Sequence, residues 1–464
     1  MFSPQTYQHR RTILQQTMGS GLLLFLGNIE NPINFKHNTY AFRQDSTFLY
    51  YFGIQAANLA AIVDVDEQRT IIFGDELTID QIVWMGRQET LREKCDKSAV
   101  ADCRPFSELK EYISKASLSG RSIQYLPPYQ SFNKILLSDL LGISIPQIQA
   151  SEALIKAVVA QRSIKEDQEI EQIEEALRIS VDMHLLAMKM TKPGMKEIEV
   201  ANAIRHLAAD QGAPLAYPPI VTIHGEILHN SYQLNTLKDG DMLLNDSGAE
   251  TAMGYAGDLT RTFPVGRTFS SKQREIYDIV LQSFTDAREL LRPGIAFKDV
   301  HISACRTLVA GLIDIGLMKG DPDEAVRQHA HTLFFQCGLG HMMGLDVHDM
   351  EDLGEQYVGY TSEQPKDTQT FGLKSLRLGK QLEEGFVVTV EPGVYIIPEL
   401  IDRWQAEGKH ASFINYDKVN EYRDFGGIRI EDNFLISTSG YRLLGPELVK
   451  AADDIEKLRL DYVS

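Results

Sequence analysis

Short apolar runs punctuate the first third of the chain: LLLFL at 22–26, LAAIVDV at 59–65 and TIIF at 70–73, with polar stretches between them. Runs of that length predict strands alternating with helices, an α/β domain. Near residue 160 the period changes. Ile170, Ile173, Leu177, Val181, Leu185 and Met188 recur at spacings of three and four, which predicts one amphipathic helix whose acidic face, 166–175, is solvated. Two domains follow from this switch, residues 1–160 and 161–464, and a length of 464 residues asks for more than one core.

The second domain contains an echo. Lys192-Pro193-Gly194 is followed by Lys196-Glu197-Ile198, and Arg292-Pro293-Gly294 by Lys298-Asp299-Val300. Each group stands between two helical patterns, so the order helix, basic-Pro-Gly, helix predicts a duplicated unit with pseudo-twofold halves.

Composition narrows the partners. Hydrophobic residues make up 43% and charged residues 24%, ordinary globular values, while 46 Lys+Arg against 64 Asp+Glu give a net charge of −18. Such a field repels phosphate backbones and anionic bilayers, so neither nucleic acid nor membrane is an expected partner. The apolar run at 22–26 is too short for a signal-peptide core or a membrane span. Cys95, Cys103, Cys305 and Cys337 form no paired motif, which leads to an expectation of free thiols and a cytoplasmic location.

Four further strand-like segments, at 241–246, 257–263, 385–391 and 427–436, each carry an acid where the pattern buries side chains: Asp246, Asp258, Glu391 and Glu431. One such acid is ordinarily a surface or turn residue. Four together need compensating charge, because a buried unpaired carboxylate costs several kcal/mol or takes up a proton. Metal cations supply it. Glycines 248, 254 and 257 between Asp246 and Asp258 suit a hairpin that brings both carboxylates to one face. In GIRIED, alternation along one strand puts Arg429 beside Glu431. His341, in the Gly-rich apolar run at 337–349, offers a nitrogen ligand. Four carboxylates and one imidazole are a hard donor set, favouring two Mn²⁺ ions, with Co²⁺, Zn²⁺ or Fe²⁺ as further candidates.

In chain order, LLNDSGAE (243–250), GYAGDLTRTFP (254–264), GLGHMMGLDVHD (338–349), TVEPGVY (389–395) and GIRIED (427–432) resemble the aminopeptidase P and prolidase family. RQDSTFLYYFG (43–53) and ELTIDQIVWMGRQ (76–88) resemble the amino-terminal domain of aminopeptidase P. The resemblance implies an α/β amino-terminal domain and an α+β "pita-bread" catalytic domain with two divalent ions. It makes Asp258 and Glu431 the bridging ligands, Asp246 a ligand of one ion, and His341 and Glu391 ligands of the other. His229 and His348 would contact the scissile carbonyl, Glu391 would accept a proton, and Arg429 would stand beside the metals. Trp84 resembles a tryptophan that reaches a neighbouring subunit's active site, which implies a homo-oligomer.

The implied activity is release of the first residue from peptides with proline second. An Xaa-Pro dipeptidase is the alternative within the family, and a non-catalytic peptide-binding module is the alternative outside enzymes. Cys337 stands where the family often has histidine, and 349–381 and 396–424 look like insertions; Lys374 and Arg377, in the first, are cations suited to hold a dipeptide's carboxylate.

Overall fold

The computed structural model describes residues 1–462, which divide into two compact units: Met1–Arg162 with Met350–Tyr357, and Ser163–Asp349 with the remainder from Val358. The first unit holds a five-stranded mixed sheet in the order Asp102–Arg104, Arg69–Phe73, Ala60–Asp64, Leu22–Leu26, Ile123–Tyr125. The three central strands are antiparallel and each edge strand runs parallel to its neighbour. One face packs Leu22, Leu24, Ile62 and Phe73 against Ile113 and Leu137 of the helices Leu109–Leu118 and Ser131–Leu141. The other face places Phe25 against Tyr51 and Phe52, at ring separations of 5.3 and 5.7 Å, on the helix Ser46–Phe52. Burial on both faces is why these strands read as continuous apolar runs. The helix Ile79–Met85 of this unit buries no residue, and Trp84 on it is 87% exposed.

The second unit repeats a motif. The helices Asp167–Met190 and Glu197–Asp210 precede a sheet of Ile220–Thr222, Met242–Asp246 and Thr260–Pro264; the helices Ser271–Glu289 and Phe297–Asp314 precede a sheet of Val387–Val390, Asp432–Ser437 and Gly440–Leu443. The Pro-Gly echoes are the same turn in both halves. Gly194 and Gly294 have φ of 91° and 85°, and their N–H groups donate to Leu237 and Leu382 carbonyls at 2.8 Å in each case. Only glycine adopts that backbone cheaply. This is the pseudo-twofold arrangement expected of a pita-bread domain.

One expectation is corrected. The segment 427–436 is not a single strand: Gly427–Arg429 pairs with Gly393–Tyr395, and Asp432–Ser437 pairs with Val387–Val390. Between them Ile430 N–H donates to Pro392 and Glu431 N–H to Thr260, so the chain changes ladders where the two halves meet. No helix among the described residues is long and apolar enough to cross a membrane.

Candidate active site

The hairpin fixes the first two acids. Asp246 lies opposite Thr260 in the antiparallel ladder, and Asp258 stands two positions before Thr260, so period-two alternation turns all three side chains to one face. Beyond the ladder the two strands stay close enough that a Cβ on Gly248 would strike the Gly257 carbonyl, which is why glycine occupies the approach. Asp246 and Asp258 are 9% and 5% exposed. The Tyr217 hydroxyl lies 2.8 Å from Asp246 Oδ1 and also hydrogen-bonds Asp258. A phenol has one proton to give, so one of these oxygen pairs calls for a proton or a cation.

Glu431 stands at the junction of the halves. Its Oε2 accepts a 2.6 Å hydrogen bond from Thr260, and its Oε1 is buried without a partner. Burial, joined by the charges of Asp258, Glu391 and Asp246, pushes its carboxyl well above the usual range. Burial likewise raises Asp246, with Arg429 opposing, and Glu391, with His341 opposing. Glu391, immediately after the strand Val387–Val390, is half-buried, against the expectation of full burial, because it faces the cavity.

His341 completes the set. Its Nδ1 faces the Met342 carbonyl at 3.0 Å, so that nitrogen carries the proton and leaves Nε2 as the donor atom. Nε2 lies 3.4 Å from Asp258 and 3.6 Å from Glu391. Burial opposes a charge on the ring, but the Asp258 hydrogen bond and the Glu391 charge outweigh it and raise its pKa. Donor atoms of Asp258, His341 and Glu431 all lie within 4.8 Å of one another. Crowded carboxyls driven to hold protons, an unpartnered buried oxygen and an imidazole nitrogen aimed at them are a donor set that fits divalent cations.

Arg429 is 4% exposed and donates to Asp246, to the Tyr395 hydroxyl at 3.0 Å and to Thr260 Oγ1 at 3.2 Å. A cavity of about 540 Å³ opens over these groups. Its wall includes His229 and His348, as expected, and the His348 ring centroid is 4.3 Å from that of His341. Cys337 also lines it, as a thiol whose pKa burial raises to about 12. Arg377 of the first insertion reaches the wall, joined by Arg205, whereas Lys374 is exposed and does not line the cavity. Trp84 belongs to the first unit.

Sequence reasoning missed Tyr217, Thr260, Tyr395 and Arg205. Thr260 was recoverable from the hairpin register opposite Asp246. Tyr217 and Arg205 carried no signal, since one is in a loop and the other on an ordinary amphipathic helix.

Residues 171–438 match metallopeptidase family M24, and residues 7–123 match the aminopeptidase P N-terminal domain. The Xaa-Pro aminopeptidase of Escherichia coli is 31% identical over 98% of each chain. The Xaa-Pro dipeptidase of Rattus norvegicus is 32% identical over 87% of this chain and 82% of its own. Among solved structures, proline aminopeptidase P II from Yersinia pestis superposes with a TM-score of 0.81 at 30% identity, covering 99% of this chain and 100% of that one. A zinc-substituted E. coli aminopeptidase P in complex with product gives 0.81 at 29%, covering 100% and 99%.

Proposed function

The chain belongs to metallopeptidase family M24 and carries the aminopeptidase P amino-terminal domain; from that premise we propose how it acts. It is a hydrolase of the Xaa-Pro aminopeptidase type, it binds divalent metal, and it releases the first residue of peptides whose second residue is proline. The observation that carries the reading is the buried, unpartnered Glu431 Oε1 among Asp246, Asp258, His341 and Glu391 on one cavity floor.

In this reading Asp258 and Glu431 would be shared ligands of two divalent ions, Asp246 would hold one of them, and His341 and Glu391 would hold the other. The oxygen-rich donor set favours manganese. When bound, the ions supply Lewis-acid polarisation and lower the pKa of water from about 15.7 toward about 7. The chain's own groups do the rest. Glu391, at the cavity edge, takes the water's proton and returns it to the proline nitrogen as that group leaves. His348 and His229 donate to the carbonyl oxygen as it gains charge. Arg429 pairs with Asp246 and orients it, and the Asp246 side of the site receives the substrate's amino terminus. Proline has no amide N–H, so the wall need offer that position no acceptor.

Arg205 and Arg377 support a second reading. Two guanidiniums on the cavity wall suit a substrate carboxylate, and a carboxylate directly after proline belongs to a dipeptide. The exposed Trp84 supports a homo-oligomer in which that indole serves a neighbour's site, and four free cysteines support a cytoplasmic location. The test is mass spectrometry of an Xaa-Pro-Xaa peptide incubated with Mn²⁺, with chelator, and with the Asp258→Ala variant. Only the first should lose its amino-terminal residue; cleavage in all three contradicts the metal reading, and cleavage in none leaves the peptide-binding module.

A further inference from the structure

We propose a second metal site, for a soft closed-shell cation of the zinc type, formed by His301, Cys305 and His331 and separate from the carboxylate centre. His301 and Cys305 are four positions apart on the helix Phe297–Asp314, so they share one face one turn apart. His331 comes from the short turn Ala330–Leu333 packed against that helix. The three side chains are 1%, 0% and 2% exposed, and one donor atom from each falls within 4.8 Å of the others.

The chemistry of the cluster is the reverse of that of the active centre. It has two imidazoles and a sulfur and no carboxylate, a combination that selects zinc-like ions over manganese. Cys305 Sγ stands 3.6 Å from His301 Nε2. With metal–sulfur and metal–nitrogen bonds of about 2.3 and 2.05 Å, a tetrahedral ion sets its sulfur and nitrogen ligands about 3.6 Å apart. Nε2, the nitrogen that faces Cys305, is the atom His301 would offer an ion. Here Nδ1 of His301 and Nδ1 of His331 are both buried without partners, and Phe335 covers the His301 ring at 5.7 Å. The neighbouring His329, half-buried with its ring 6.3 Å from that of His331, also has an unpartnered Nδ1.

The site ties the helix Phe297–Asp314 to the segment that runs on through Cys337 to His341, which form part of the catalytic cavity. An ion there stiffens that wall without touching substrate. Full-length protein stripped with chelator and titrated with Co²⁺ tests the assignment, because a thiolate ligand gives a near-ultraviolet charge-transfer band that carboxylate and imidazole ligands do not. The expected result is about three Co²⁺ per chain with that band. Cys305→Ser abolishes the band and lowers the count by one, while Cys337→Ser and Asp258→Ala keep the band. Asp258→Ala keeps it even if the dinuclear reading of the active centre fails, so the two failures are distinguishable. A wild-type protein without the band overturns the proposal, as does a band lost in Cys337→Ser and kept in Cys305→Ser.

Discussion

Replacing Glu431 by glutamine separates the metal-free protein from the loaded one. Without ions Glu431 is pushed well above the usual carboxylate range, by burial first and then by its acidic neighbours, so its surroundings favour the neutral acid. Glutamine reproduces the shape and charge of that neutral form. One oxygen accepts from Thr260 at 2.6 Å and the other already lacks a partner, so the exchange costs about 1 kcal/mol or less. With ions bound, the same change removes a negative charge from two dications. At an effective dielectric near 20, one unit pair at about 4 Å is worth about 4 kcal/mol, more than two decades of affinity. Thermal unfolding of both proteins, in chelator and in Mn²⁺, reads both effects. Wild type at about 100 times its Kd gains about 2.7 kcal/mol from the metal; Glu431→Gln should match wild type in chelator and lose nearly all of that gain. A variant several kcal/mol less stable in chelator, yet stabilised normally by Mn²⁺, would refute the reasoning.

Three further outcomes are expected. His184 is fully buried and burial, then Arg261, lowers its pKa to about 4, whereas the unfolded ring titrates near about 6.5; between these values only the unfolded chain takes up the proton, so stability falls as pH falls through that window, by about 3 kcal/mol in all. In chelator, His184→Gln should remove that part of the difference between urea midpoints at pH 7 and pH 4.5; an unchanged difference argues against it. His348→Gln should lower kcat by roughly 10²–10³ with little change in KM, as loss of an oxyanion donor does, and an unaltered kcat removes His348 from the chemistry. Trp84→Glu should shift light scattering from oligomer toward monomer, since Ile79 and Val83 beside it are 76% and 74% exposed; a monomeric wild type defeats the shared-site idea.

The strand at 22–26 was legible to the residue because both its faces are buried, and the helix read from Ile170 to Met188 extends only to Asp167–Met190 because its stripe is continuous. The Pro-Gly echo was legible because a positive-φ turn leaves glycine behind. The site's acids stood out because each lies in or directly beside an apolar strand pattern. What sequence hid was set by long-range pairing. Period-two alternation cannot reveal that Ile430 and Glu431 bond to different partners from those of Arg429. Tyr217 reaches the cavity from a loop, where no period marks a direction. Trp84 is exposed on a helix none of whose residues is buried, which its apolar sequence argues against.

The most direct test compares kcat/KM, in Mn²⁺, for an Xaa-Pro dipeptide and the same sequence extended by one residue. The aminopeptidase account predicts that the extended peptide is the better substrate, with cleavage before proline and loss of activity in chelator. A dipeptide preferred tenfold or more, about 1.4 kcal/mol of transition-state discrimination, would contradict it and assign Arg205 and Arg377 to the capture of a dipeptide's carboxylate.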